Sequence, residues 1–186
     1  GGKTYYFDED GTSHTGWLLL DGTYYWINAN GTRRDDELFQ YDGNYYYVDK
    51  NGVMVTSGWV YWDYNYYYPR SWGGMYKNAF ITYDNNLYYL GSDSKMAIGW
   101  QSIGGNTYYF RSWGGMYRST FFKAPTGSAL YYADENGKMA VGKKQIDGDW
   151  YYFKDWGGMY QNAFIKNGTS VCHAAADGKL TVGWLQ

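Results

Sequence analysis

The side chains of this 186-residue chain that are best suited to bind a ligand are aromatic, because the sequence holds 25 Tyr, 10 Trp and 8 Phe. The flat faces of Trp and Tyr attract cations, and the same faces stack against the apolar sides of sugars. Seven tryptophans occur in two recurring settings. Four follow a glycine, namely Trp17, Trp59, Trp100 and Trp184, and three lie in a Trp-Gly-Gly-Met-Tyr segment, namely Trp72, Trp113 and Trp156. These rings are candidates for ligand contact.

The other reactive residue types form no catalytic arrangement. His14 and His173 lie near opposite ends of the chain. Cys172 and His173 are neighbours, and neighbouring side chains of a strand point to opposite faces, so they cannot act together as nucleophile and base. The acidic run from Asp8 to Asp10 lacks the spacing of a known calcium loop. We therefore predict a protein that is not an enzyme and that has no metal site and no cofactor.

Charge and hydropathy exclude two classes of partner. The net charge is −2, with 16 basic and 18 acidic residues interspersed, so the chain has no basic stripe for nucleic acid. It has no apolar run of about 18 residues and therefore no predicted transmembrane segment. The chain begins Gly1-Gly2 without a signal segment, so we expect it to be a fragment of a larger protein.

An internal repeat of about 20–21 residues runs along the whole chain. Its clearest marker is a pair of aromatic residues whose first members recur every 20 to 23 residues. The pairs are Tyr5-Tyr6, Tyr25-Trp26, Tyr46-Tyr47, Tyr67-Tyr68, Tyr88-Tyr89, Tyr108-Tyr109, Tyr131-Tyr132, Tyr151-Tyr152 and the degenerate Cys172-His173. All six methionines lie eight residues after the first member of a pair: Met54, Met75, Met96, Met116, Met139 and Met159.

Each repeat has the composition of a β-hairpin. Aromatic residues favour strands, and Asn-Gly or Asp-Gly pairs are strong hairpin signals. We expect the hairpin to turn at pairs such as Asn30-Gly31 and the Gly-Trp step to lead into a connection such as Asp21-Gly22. An isolated hairpin is at best marginally stable in water, so neighbouring hairpins must stack. The predicted fold class is all-β, a solenoid of about nine stacked hairpins with a methionine-lined core, forming a single repeat domain over residues 1–186.

Two kinds of repeat alternate in the later half of the chain. In three repeats the turn Asn is replaced by Trp72, Trp113 or Trp156, and these repeats lack the Gly-Trp step. A tryptophan at a hairpin tip has little core to enter. We therefore expect these three rings to be exposed and to contact a ligand or partner.

The chain resembles the cell-wall-binding repeats of Gram-positive surface proteins. That group includes choline-binding proteins, the glucan-binding domains of glucansucrases and the repeat domains of large clostridial toxins. Segments that carry the resemblance include Gly148 to Phe153 and Asn51 to Trp59, with their Gly-Trp, aromatic-triplet and Asn-Gly-x-Met elements. The resemblance implies a hairpin solenoid, secretion, and anchoring at the cell surface to a wall polymer or glucan.

For the choline-binding branch, the resemblance implies cages for a quaternary ammonium. Each cage takes the Gly-Trp tryptophan, an aromatic residue seven positions later and a ring from an adjacent hairpin. Trp17 with Tyr24 and Trp59 with Tyr66 keep the two-ring spacing.

Two further positions depart from this pattern. Trp100 is followed seven residues later by Thr107, and Trp150 stands seven residues after Lys143, whose charge repels a cation. The full set of candidate ligand-binding residues is Trp17, Tyr24, Trp59, Tyr66, Trp72, Trp100, Trp113, Trp150 and Trp156.

The leading functional hypothesis is a non-catalytic module that anchors a larger secreted protein to choline-bearing teichoic acid or another cell-wall polysaccharide. One alternative is an α-glucan-binding C-terminal module of a glucansucrase or glycosidase, whose catalytic domain would lie outside this chain. Another is an adhesin or toxin-type repeat that binds host glycans. The sequence does not separate choline from a saccharide, and it leaves the oligomeric state open.

Overall fold

The computed structural model describes residues 2–182, and in that range every regular element is a β-strand. Sixteen strands pair in chain order into eight antiparallel two-stranded hairpins. The strands are β1 (Gly16–Leu20), β2 (Thr23–Ile27), β3 (Glu37–Tyr41), β4 (Asn44–Val48), β5 (Val60–Trp62), β6 (Asn65–Tyr67), β7 (Ala79–Tyr83), β8 (Asn86–Leu90), β9 (Gly99–Ile103), β10 (Asn106–Phe110), β11 (Thr120–Lys123), β12 (Leu130–Ala133), β13 (Gly142–Ile146), β14 (Asp149–Phe153), β15 (Ala163–Asn167) and β16 (Ser170–Ala174). The predicted all-β hairpin array is thus confirmed.

The first of the nine predicted repeats is incomplete as a hairpin. Its aromatic segment makes a single antiparallel bridge, between Phe7 and Ser13, instead of a ladder. A second bridge joins Tyr5 to Thr32, after the second repeat. The count of about nine repeats therefore corresponds to eight complete hairpins and one N-terminal remnant.

In the first complete repeat, the turn that closes the hairpin ladder and the turn that connects hairpins lie at the opposite positions from those predicted. The ladder of the β1–β2 hairpin closes at Asp21-Gly22, where φ is 47° and 78°. Two consecutive left-handed residues are what a type I′ hairpin turn requires. At Asn30-Gly31 only Gly31 is left-handed, with φ of 79°, so the chain makes a wider loop there. The prediction that the hairpin turns at pairs such as Asn30-Gly31, with a connection at pairs such as Asp21-Gly22, is therefore wrong.

Backbone hydrogen bonds join several of the hairpins to the hairpin before them. The N–H of Met54 donates to the carbonyl of Tyr24 at 2.9 Å, and the N–H of Met75 donates to the carbonyl of Tyr45 at 2.8 Å. The same bond recurs at Met96 to Tyr66, Met139 to Thr107 and Met159 to Leu130. The methionine column therefore marks the segment through which successive hairpins are held in register.

The core is aromatic and lined by methionine, as predicted. Four of the methionines are buried: Met75, Met116, Met139 and Met159. Met75 lies in a cluster with Val60 and Tyr67, and it is 1% exposed. Burial of these side chains by the next hairpin supplies the apolar cover that a single hairpin lacks.

Contacts between residues divide the chain into two compact units, Gly1–Ala97 and Ile98–Gln186. The first contains the hairpins from β1 to β8, and the second contains those from β9 to β16. The single domain over residues 1–186 stays a prediction. No helix long and apolar enough to cross a membrane occurs among residues 2–182.

Candidate functional site

Two rings of the first hairpin stand at right angles on one face. In the ladder Trp17 lies opposite Trp26 and Tyr24 lies opposite Leu19, so strand alternation places Trp17 and Tyr24 on the same side. Their ring centroids are 6.3 Å apart and their planes meet at 86°. Tyr24 is 43% exposed, so the corner between the two rings is open to solvent.

Tyrosines of the next hairpin form a third wall beside these two rings. Tyr46, on β4, lies 5.0 Å from Trp17 with an angle of 67° between the rings. Tyr41, on β3, lies 6.5 Å from Trp17 at 85°. We call Trp17, Tyr24, Trp26, Tyr41 and Tyr46 the first ring cluster. A ring from an adjacent hairpin thus stands where the cage needs one.

The same arrangement recurs one double repeat later. Trp59 and Tyr66 are 6.3 Å apart at 88°, and Tyr88 lies 4.9 Å from Trp59 at 65°. Tyr83 lies 6.1 Å from Trp59 at 80°. We call Trp59, Tyr66, Tyr68, Tyr83 and Tyr88 the second ring cluster. Because two clusters of different composition share this geometry, it is a property of the hairpin stack.

The electrostatic environment of both clusters suits a cation. Burial raises the pKa of Tyr46 and of Tyr88 above the ordinary value, and the nearby carboxylates of Asp42 and Asp84 raise them further. The phenols therefore stay neutral at physiological pH. The two carboxylates lie in hairpin turns beside the rings, and their negative charge attracts a cation to either cluster.

A third cluster, in the second unit, lacks one wall. Trp100 contacts Tyr109 at 4.7 Å and Tyr131 at 4.8 Å, so the ring from the following hairpin is present. Thr107 stands where Tyr24 and Tyr66 stand in the first two clusters. We call Trp100, Tyr109, Phe122 and Tyr131 the third ring cluster.

In the β13–β14 hairpin, at the position equivalent to the three ring clusters, a lysine of the protein lies over the tryptophan ring. The Lys143 ammonium lies 4.7 Å from the centroid of the Trp150 ring. Both residues line a cavity of about 300 Å³, together with His173 and Leu180. The Lys143 side chain thus occupies a face of Trp150 that a ligand's ammonium would need.

The three tryptophans of the Trp-Gly-Gly-Met-Tyr segments are half exposed, as predicted, but they lie in the connections between hairpin ladders and not at hairpin tips. Trp72 and Trp113 are each 49% exposed, and Trp156 is 56% exposed. Each lies near a cationic side chain of its own repeat. The three pairs are Arg70 with Trp72 at 5.7 Å, Arg111 with Trp113 at 5.4 Å and Lys154 with Trp156 at 5.1 Å. Internal cations therefore already compete for these ring faces.

Trp72 and Trp156 also contact the ring clusters. Trp72 lies 6.0 Å from Tyr46, and Trp156 lies 5.8 Å from Tyr131. Tyr46 therefore brings Trp17 and Trp72 into one aromatic group, and Tyr131 does the same for Trp100 and Trp156. Ligand contact by Trp72, Trp113 and Trp156 stays a prediction.

Sequence reasoning left the third wall unnamed. Tyr46, Tyr88 and Tyr131 are first members of the aromatic pairs that mark the repeat. Tyr46 and Tyr88 are buried, at 8% and 7% exposure, yet each also presents a ring to a tryptophan. Their recurrence two repeats apart is the signal that could have identified them. Trp184, in the Gly-Trp column, lies outside the described residues.

His14 ties the N-terminal remnant to the first ring cluster. Its Nδ1 lies 3.0 Å from a carboxylate oxygen of Asp8, and its Nε2 lies 3.0 Å from the carbonyl oxygen of Trp17. Both partners are hydrogen-bond acceptors, so the imidazolium, in which both ring nitrogens donate, satisfies the two contacts together. The Trp17 carbonyl, and then Asp8, raise the pKa of His14.

The remaining reactive side chains have structural partners. His173 Nδ1 lies 2.8 Å from the hydroxyl of Thr181, and in the ladder His173 faces Phe164 while Cys172 faces Ile165. Between residues 2 and 182, no group of three or more His, Cys, Asp or Glu side chains is arranged to hold a metal ion.

Comparison with protein-family models gives two matches. A model described as a choline-binding repeat matches residues 97–143. A model described as a putative cell wall binding repeat matches residues 1–13, 15–32, 36–54, 78–93 and 144–159. A comparison with curated protein sequences gives no match.

Solved structures similar to this chain include three from Streptococcus pneumoniae. CbpJ is 30% identical with a TM-score of 0.81, and the alignment covers 95% of this chain and 61% of CbpJ. Choline-binding protein F is 29% identical with a TM-score of 0.78, covering 96% of this chain and 61% of that protein. The choline-binding domain of CbpL is 29% identical with a TM-score of 0.71, covering 90% and 87%. Protein F has also been solved with a peptidoglycan analogue and with ipratropium.

Proposed function

This chain belongs to the family of choline-binding, cell-wall-binding repeats, and we propose that it is a non-catalytic module that anchors a larger secreted protein to a choline-bearing polymer of the cell wall. The observation that carries the proposal is the pair of perpendicular ring corners, Trp17 with Tyr24 and Trp59 with Tyr66, each backed by a tyrosine of the next hairpin. A trimethylammonium group is nearly spherical, so it fits a corner where rings approach from several directions. A flat sugar needs only one open face.

Cation–π attraction sets the strength of one cage. Each desolvated ring over a cation contributes about 1–2 kcal/mol, so three rings give a dissociation constant on the order of 1 mM. One cage alone is therefore too weak to anchor a protein. A polymer that engages several cages gains orders of magnitude through effective concentration, which is the advantage of repeating them along a stack.

The proposal places the module at the outer surface of the cell. The chain spans 61% of the length of CbpJ and of choline-binding protein F. Ipratropium, with which protein F has been solved in complex, carries a quaternary ammonium, as choline does. That ligand supports choline chemistry for the cages of this chain too.

The experiment compares the binding of choline and of saccharides by two double variants of the protein. Tyr24→Thr with Tyr66→Thr removes one wall from each of two cages, and Thr is the natural residue at the third position, Thr107. With about 1 kcal/mol per ring, each cage weakens about fivefold and a polymer that spans both weakens about 25-fold. The matched control, Tyr24→Phe with Tyr66→Phe, keeps both rings and is expected to bind like the wild type.

Retention is measured on a choline-mimicking resin and on amylose and dextran. We expect the wild type to be retained on the resin and released by free choline. Retention on amylose or dextran without choline-dependent release would instead support the α-glucan module. Equal retention of the Thr and Phe variants on the resin would show that these corners are not the sites.

A further inference from the structure

The turn of the β5–β6 hairpin holds a residue that turn geometry disfavours. Asp63 and Tyr64 form this turn with φ of 45° and 59°, so Tyr64 is in the left-handed region. A side chain with a Cβ is strained there. In five equivalent turns the same position is Gly22, Gly43, Asn85, Gly105 or Gly148. Tyr64 is 89% exposed, so burial does not offset the strain.

The exposed rings continue from this tip to the second ring cluster. Tyr61 lies opposite Tyr66 in the ladder, with ring centroids 4.9 Å apart, and is 55% exposed. Tyr66 is itself a wall of that cluster, beside Trp59. Thus an exposed aromatic surface runs outward from the cage. In three hairpins of the same type, the residue equivalent to Tyr61 is Leu19, Ser102 or Gln145.

We propose that Tyr61, Tyr64 and Tyr66 form a platform for a sugar ring of the same wall polymer whose choline lies against Trp59. This proposal rests on the proposed function. Aromatic faces receive the C–H side of a pyranose, and the exposed Asp63 carboxylate in the same turn accepts hydrogen bonds from hydroxyl groups. A strained residue whose side chain is exposed, so that burial does not offset the strain, is typical of a ligand-binding position.

The size and position of the patch favour a sugar over a protein. Three partly exposed rings offer at most a few hundred Å², whereas a stable protein interface needs roughly 800 Å² on each partner. The patch is also continuous with the cage. A ligand that carries choline and sugar on one chain would therefore occupy both at once.

The test uses two variants that restore residues found in sister hairpins. Tyr64→Gly relieves the left-handed strain, so we expect the thermal midpoint to rise by about 2–4 °C. The same change is expected to weaken binding of purified choline-bearing teichoic acid about three- to tenfold, because a stacking ring is lost. Binding of free choline is expected to stay unchanged. Tyr61→Ser is expected to weaken polymer binding similarly, and Leu19→Ser in the first hairpin is the matched control without effect.

Each alternative outcome has a separate meaning. Unchanged polymer binding in both tyrosine variants, with free choline still bound, overturns the platform and leaves the proposed function standing. A parallel loss of free choline and polymer also overturns it, because the rings would then belong to the cage alone. If the wild type binds neither choline nor the polymer, the proposed function fails and the platform fails with it.

Discussion

Adding a ring at Thr107 should convert the third cluster into one like the first two. Thr107 is exposed on β10 and lies on the same face as Trp100, where the first two clusters carry Tyr24 and Tyr66. Those rings stand 6.3 Å from their tryptophans, at 86° and 88°. The strand backbone already accepts a tyrosine at this position in two hairpins, so Thr107→Tyr requires no change of fold.

The expected gain in choline affinity follows from the solvent exposure of the equivalent tyrosines. Tyr24 and Tyr66 are 43% and 44% exposed, so the new ring is worth about 1 kcal/mol, between the values for exposed and desolvated cation–π pairs. That is about a fivefold lower dissociation constant for choline. The comparison is best made with Tyr24→Thr and Tyr66→Thr already in place, because the third cluster then dominates the titration.

Isothermal titration with choline measures the effect, and tryptophan fluorescence gives an independent curve. Thr107→Leu is the control, since it adds apolar area on the same strand without a π face. A folded Thr107→Tyr protein that binds choline no better than Thr107→Leu would refute the view that perpendicular rings on this face form the cage.

Three further outcomes follow from the structure. Replacing Lys143 by Ala removes the ammonium over Trp150, so the tryptophan emission of the ligand-free protein is expected to change; unchanged emission contradicts the cation–π contact. The raised pKa of His14 means that its stabilising contribution is complete below the unfolded value near 6.5 and is lost as pH rises through the folded value. The emission of Trp17 and the thermal midpoint should therefore shift as the pH rises above about 6.5 in the wild type but not in His14→Gln. Met75→Ala should lower the free energy of unfolding by about 2–5 kcal/mol and Met75→Leu by less than about 1.5, measured by denaturant titration.

The repeat and its core were predictable because they depend on neighbours in the chain. The methionine column needed only the spacing from the aromatic pairs, and Met75 and Met159 are buried as that spacing predicts. The position of the tight turn was not predicted correctly. Asn-Gly and Asp-Gly both favour left-handed residues, and only the backbone shows that Asp21 and Gly22 are both left-handed while Asn30 is not.

Part of the ring cluster was expected from the family resemblance, which pairs Trp17 with Tyr24. The structure places both rings on one face of one hairpin because the ladder closes at Asp21-Gly22, where the sequence analysis expected a connection. Tyr46 belongs to the next hairpin, and its 5.0 Å approach to Trp17 depends on how the two hairpins stack. The placement of the Lys143 ammonium over Trp150 is likewise a choice of side-chain rotamer that spacing does not specify.

The period, the all-β fold and the methionine core can be read from the order of the amino acids. Those features follow from residue preferences and from alternation within about 20 residues of chain. Three other features depend on the folded structure: which tyrosine forms the third wall of a ring cluster, which tryptophans already face an internal cation, and which turn closes the hairpin ladder. Contacts between hairpins and the positions of flexible charged side chains are set by packing in three dimensions, and spacing along the chain does not encode them.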